Sequence, residues 1–151
     1  MRASVERERR RWGTAWIGLT LALAVHVTDE ALTGFLSLWN PLVLSLRDRV
    51  EWSPLPTFRF ADWLAGLVML LLVLIVLSGL VFRGVGWMRP VSYVFACFMM
   101  LNGIGHLAAS LYLGRPASGV YSAPLLLVTA GFLLVSVRRY GVAVGCASNG
   151  L

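Results

Sequence analysis

The sequence predicts an all-α fold, an integral membrane four-helix bundle. Three observations point there: 58% of the 151 residues are hydrophobic, only 13% are charged, and the mean hydropathy is +0.78. A chain of that composition has more apolar surface than one water-soluble core can enclose, so it needs the lipid bilayer as a partner. A spanning helix takes about 20 apolar residues at about 1.5 Å rise each. Four such stretches follow one another here, separated by short polar breaks.

Residues 1–11 form a basic head expected to be cytoplasmic. The first apolar stretch, 12–38, is closed by Asn40-Pro41. Residues 42–60 mix Leu and Val with Arg47, Asp48, Arg49, Glu51 and Trp52, too polar to span and too apolar to float free. They are expected to lie on the bilayer as an interfacial loop. The second helix, 61–82, is the most lipid-like. The third, 90–113, starts at Pro90, where a missing N–H costs nothing, and Gly114-Arg115-Pro116 turns the chain into the fourth, 120–137. Residues 140–151 remain as a short cytoplasmic tail, and no separate domain or repeat stands out.

The net charge of +6 comes from 13 arginines and no lysine. They sit at the ends of apolar runs rather than in a patch interleaved with aromatics, which suits membrane orientation and not nucleic acid. The head, the 83–89 loop and the tail carry nine, against Arg47, Arg49, Arg59 and Arg115 on the other side. The asymmetry predicts a multi-pass protein of the inner (plasma) membrane with both termini cytoplasmic. Arg9-Arg10-Arg11, an apolar run and Ala22-Leu23-Ala24 also resemble a cleavable signal peptide. The apolar stretch continues well past Ala24, which favours a retained helix. Cys97 lies in an apolar run and Cys146 in the tail, so neither a disulfide nor a cysteine-based metal site is expected.

Chemistry concentrates in two helices. His26, Asp29 and Glu30 lie well inside the first apolar span, where a carboxylate costs about 2.5–3.5 kcal/mol on the insertion scale. At about 100° per residue, His26, Asp29, Glu30, Thr33 and Ser37 share one face, a polar stripe that must meet protein or a cavity. The third helix carries Asn102 and His106 at i and i+4, flanked by small residues that let another helix approach. Counted from Arg11, His26 is fifteen residues in and Glu30 nineteen; counted from Arg89, Asn102 is thirteen and His106 seventeen. The offset of two residues is about 3 Å along the axis, so all five groups are expected in one slab. Asp62, Trp63, Tyr121 and Pro124 fall near its mouth as secondary candidates, although a Trp or Tyr at a helix end is commonly an interface anchor.

His26-Val27-Thr28-Asp29-Glu30 resembles the signature of the HXXEE family of small bacterial integral membrane proteins, with Asp29 in place of the first Glu. Asn102 to His106, an Asn-x-x-x-His, and Tyr121-Ser122-Ala123-Pro124 resemble that family's later motifs, so the likeness spans most of the chain. It implies an intramembrane polar site and brings no assigned reaction. A looser likeness, in residue types alone, is to sterol-isomerase-type membrane bundles.

Three functions compete. The first is an acid–base enzyme, an isomerase or cyclase acting on a lipophilic small molecule: a carboxyl group held in an apolar site keeps its proton and serves as general acid, with a neighbouring His as base. Glu30, His26, Asp29, His106 and Asn102 are its candidate catalytic residues. The second is a metal-dependent enzyme in which His26, Glu30 and His106 form the two-His-one-carboxylate set that binds zinc or iron, Asp29 and Asn102 supporting it. Beyond such a divalent metal, no cofactor motif is present. The third is a non-catalytic membrane subunit or small transporter, although neither broken helices nor internal repeats are found. A homo-oligomer is compatible with each.

Overall fold

In a computed structural model describing residues 2–50 and 54–148, the chain forms five helices: α1 (Arg2–Thr33), α2 (Phe35–Arg49), α3 (Phe60–Phe82), α4 (Met88–Leu113) and α5 (Ala123–Ser148). There are no strands among the described residues. Four of the helices, α1, α3, α4 and α5, are long and apolar enough to cross a membrane. Glu51 and Trp52 of the expected interfacial loop, and the last three residues of the tail, lie outside the described residues.

Element ends differ from the sequence expectation: α5 starts at Ala123 rather than 120, which leaves Ser122 in the preceding loop, and three larger differences each have a local reason. The basic head is part of α1, because Glu6 pairs with Arg9 and Arg10 at helical spacing, the latter at 3.0 Å. The Arg10 hydrogen bond foremost holds the Glu6 carboxyl below its usual range. The first helix stops at Thr33 rather than Leu38: Gly34 turns left-handed at φ 76° and Ser37 bonds back to the Gly34 carbonyl, so the apolar run Phe35–Leu38 continues in a new direction as α2. Much of the expected loop is therefore helical, with Pro41 inside it. Asn40 ties α2 to the following segment by bonds to both the N–H and the carbonyl of Phe58, and Trp39 bonds the Pro56 carbonyl. At the other end α5 continues past Arg138 and Arg139 into the expected tail, because Tyr140 is buried and stacks on Trp12 at 4.9 Å.

The core is an interlocked set of stripes. On α1 the buried positions include Trp12, Trp16, Leu19, Leu23, His26 and Glu30, spaced alternately four and three; on α5 Ala123, Leu126, Ala130, Leu133, Val137 and Tyr140 follow the same rhythm. That alternation is the packing seam of a left-handed bundle. In α1 it holds apolar residues for four places and then His and Glu for the last two. α5 packs closely on both α1 and α4, and α3 packs on α1. In α3 only Trp63, Leu74 and Val81 are buried, leaving most of it as an outward-facing apolar surface.

α1 and α4 stand apart and are joined by long side chains. Trp12 donates its indole N–H to Ser92 at 3.0 Å, Trp16 meets the Phe95 ring at 5.2 Å, His26 reaches Asn102 and Glu30 reaches His106. The seam is thus a ladder whose first two rungs are aromatic and whose last two are polar.

Candidate functional site

Each member of the polar end is placed by a different stretch of chain. α1 supplies His26, Asp29 and Glu30, α4 supplies Asn102 and His106, and the loop before α5 supplies Ser118, Gly119 and Ser122. His26, Glu30 and His106 are buried, at 0, 6 and 7% exposure. Glu30 Oε1 lies 3.1 Å from His106 Nε2 and 3.6 Å from His26 Nε2, and the two imidazole rings meet edge to face at 4.7 Å.

The remaining ring nitrogens have fixed partners, and these set the tautomers. His106 Nδ1 faces the Ser118 backbone carbonyl, which only accepts, so Nδ1 carries the hydrogen. His26 Nδ1 lies 2.8 Å from Ser122 Oγ. That hydroxyl sits 2.7 Å from Asp29 Oδ2, to which it donates, so it is free to accept from His26 Nδ1–H. In the neutral form, both imidazoles then turn a bare Nε2 toward Glu30. Asn102 Nδ2, 3.3 Å from His26 Nε2, is the one amide donor on that side.

Asp29 is used differently from Glu30. Its carboxylate also accepts the Ser122 backbone N–H at 2.9 Å. It thereby satisfies an amide at the start of α5, where the helix dipole favours negative charge. A carboxylate on one helix fastens the beginning of another, and through Ser122 it orients His26. Asp29, Ser122 and His26 do not form a nucleophile triad, because the carboxylate holds the hydroxyl rather than the far side of the imidazole.

Gly119 is the floor of the site. It adopts φ 79°, and a Cβ there would come within 2.7 Å of the His106 ring and 2.9 Å of His26. Only glycine fits that backbone and that space. Ser118 adds a second tie to α1, its hydroxyl 2.7 Å from Thr33 Oγ1, and Ser110 closes the loop onto the end of α4 by accepting the Ala117 N–H.

Of the secondary candidates, Thr33 stands at the mouth through Ser118. Trp63 is buried and stacks on Phe35, whose ring lies 6.0 Å from His106. Tyr121 is 71% exposed, Asp62 is exposed in the first turn of α3, and Pro124 is exposed in the first turn of α5; none of these three joins the cluster. Ser37 leaves the polar stripe because the helix breaks at Gly34. Sequence reasoning missed Ser118 and Gly119 altogether and took Ser122 only as part of a motif. The Ser118-Gly119 pair next to a turn was the available signal.

His26, Glu30 and His106 each offer one ligand atom, and the three atoms lie within 4.8 Å of one another. Metal–ligand bonds of about 2.0–2.1 Å in a tetrahedron require ligand atoms about 3.3 Å apart. The two edges from Glu30, 3.1 and 3.6 Å, straddle that value, and the third lies within 4.8 Å. Compared with known proteins, the chain matches no family profile, no curated protein and no solved structure.

Proposed function

We propose that His26, Glu30 and His106 form the divalent-metal centre of a membrane-embedded enzyme. One observation carries the reading: both Nδ1 atoms are engaged by the protein, so both Nε2 atoms face a single carboxylate oxygen, and the Asn102 amide 3.3 Å from His26 Nε2 would turn aside where that nitrogen held an ion. Metal-binding histidines characteristically donate their other N–H to a carbonyl or carboxylate, which fixes ring and tautomer. His106 does so to Ser118, and His26 does so through Ser122 to Asp29. Three protein ligands leave a fourth position for water or substrate, the pattern of catalytic rather than structural zinc; two His and one carboxylate also suit non-haem iron. Such an ion would polarise a substrate oxygen or lower the proton affinity of bound water.

The test is metal analysis of protein purified in detergent without chelators. Stoichiometric zinc or iron in the wild type, lost in His26→Ala and in His106→Ala, supports the centre; metal-free wild type that also fails to bind added zinc or iron sinks it.

A second reading has its own observation, the direct 3.1 Å approach of Glu30 to His106. In it the pair shares a proton, Glu30 acting as acid and His106 as base in an isomerase or cyclase reaction on a lipophilic molecule. Against the expectation of unbroken helices the first apolar stretch does break, at Gly34, but His26 and Glu30 lie before that break, and the role of non-catalytic subunit or transporter has no comparable geometry in its favour. Under either enzymatic reading the protein belongs in the inner membrane with both termini cytoplasmic, as the arginine count implies. The likeness of His26–Glu30 and Asn102–His106 to the HXXEE family motifs fits an intramembrane site of this kind.

A further inference from the structure

The cluster is closed on three sides by α1, the 115–122 loop and the start of α5, and its remaining wall is shared with a groove. That groove, about 210 Å³, runs between α2 and α4 and is lined by Phe35, Leu38, Trp39 and Leu42 on one side and by Asn102, Gly105, His106 and Ala109 on the other. Asn102 and His106 give it a polar inner end, and the rest of its lining is carbon apart from the Trp39 indole N–H, which is turned to Pro56. The groove is continuous with the cluster at one end and with the exposed apolar surface of α2 and α4 at the other, where Leu42, Leu101 and Ile104 face outward.

We infer that this groove is the substrate channel, and that the substrate is a membrane-soluble molecule with a narrow apolar chain ending in an oxygen-bearing head. The inference rests on the metal-centre reading for what the head does and on the groove for what the chain is. A hydrophilic substrate gains nothing from a lining of Phe, Leu and Trp, whereas an apolar chain matches both that lining and the groove's modest volume of about 210 Å³. A chain slides in from the lipid along the carbon walls and delivers its head to the end of the groove lined by His106 and Asn102. α2 is joined to α1 through the left-handed Gly34, and its first turn anchors one wall of the groove, Phe35 stacking on Trp63.

The test uses two hydroxamates on cobalt-loaded protein in nanodiscs, read by the cobalt visible spectrum: octanohydroxamate, which has the chain, and acetohydroxamate, which has only the chelating head. Gly105→Leu fills the groove from a position where an added Cβ meets nothing within 4 Å, so the helix accepts it. Gly66→Leu, equally open but on α3, controls for partition into lipid. Gly105→Leu should lower octanohydroxamate affinity at least about tenfold, the value of roughly two buried methylenes, and leave acetohydroxamate unchanged. Gly66→Leu should change neither. If the long chain keeps its full advantage in Gly105→Leu, the groove assignment is overturned while the metal centre stands. Should neither hydroxamate perturb the spectrum, the metal centre falls, and the groove is then decided by an octyl probe bearing a terminal diazirine. Labelling confined to 35–42 and 105–109 and blocked by Gly105→Leu upholds it, whereas labels spread along all four long helices overturn it.

Discussion

Glu30 on α1 and His106 on α4 meet at 3.1 Å across a seam that brings few other parts of those two helices close. Their contact is made by reach rather than by backbone proximity. α5 acts as the spacer, packing on both helices, while the loop that leads into it supplies the Ser118 carbonyl and the Ser122 hydroxyl that orient the two imidazoles. The geometry of the site is therefore set as much by the loop as by the helices that carry the ionisable groups.

Gly119→Ala should damage the site more than its small size suggests. The left-handed backbone costs an L-residue about 1–2 kcal/mol, and the new methyl would press on both histidine rings. A lower unfolding temperature in detergent is expected, together with loss of metal. An alanine variant with unchanged melting and metal content would contradict the tight floor described above.

Thr33 and Ser118 bring their hydroxyl oxygens to 2.7 Å. Cysteines at both places, in a background where the exposed Cys97 and Cys146 are replaced by Ser, should form a disulfide in membranes on mild oxidation. Failure to cross-link, with the protein folded, would mean that the 115–122 loop does not close over α1.

How much of this was legible depends on the kind of residue. His26 and Glu30 stand out because they are ionisable groups well inside an apolar span, and such a group at membrane depth demands a partner. His106 and Asn102 stand out for the same reason, and matched depth brought them to the right slab. Ser118, Gly119 and Ser122 do not stand out: serine and glycine between two helices are what any loop contains, and their importance arises only when the loop folds back over α1. The break at Gly34 was hidden because Phe35–Leu38 continue the apolar run, so composition saw one long helix where the backbone makes two. Asp29 was read with the right face, but its partner at the start of α5 is a tertiary contact that no spacing within α1 reveals.

The nine-to-four arginine distribution should be visible in topology. Reporter domains fused after Ser148 and inserted at Pro54 are expected on opposite sides of the membrane, the former in the cytoplasm. Finding both on one side would exclude an even number of crossings with the two ends together, and with it the proposed orientation.

The last prediction separates the two carboxylates, and with them the two enzymatic readings. Glu30 offers the oxygen that both imidazoles face, whereas Asp29 holds Ser122 through its N–H and hydroxyl and touches neither bare Nε2. Glu30→Gln keeps the shape and a carbonyl oxygen but removes the charge that a divalent ion requires, so metal content should fall to background. Asp29→Asn retains an acceptor for Ser122 and loses only its charge, so metal should remain, bound about 10–100-fold more weakly, the usual effect of removing a group that orients a ligand. Binding in the wild type should strengthen with rising pH, because both imidazoles must be unprotonated to accept the ion. Stability has to be followed in parallel, since breaking one member of a buried charged pair typically costs about 3–5 kcal/mol, and a variant that has unfolded would lose metal for the wrong reason. A folded Glu30→Gln protein that keeps full metal would remove Glu30 from the ligand set. A wild type without metal, whose activity on an apolar substrate is abolished by Glu30→Gln, would hand the site to the proton-sharing pair of Glu30 and His106 instead.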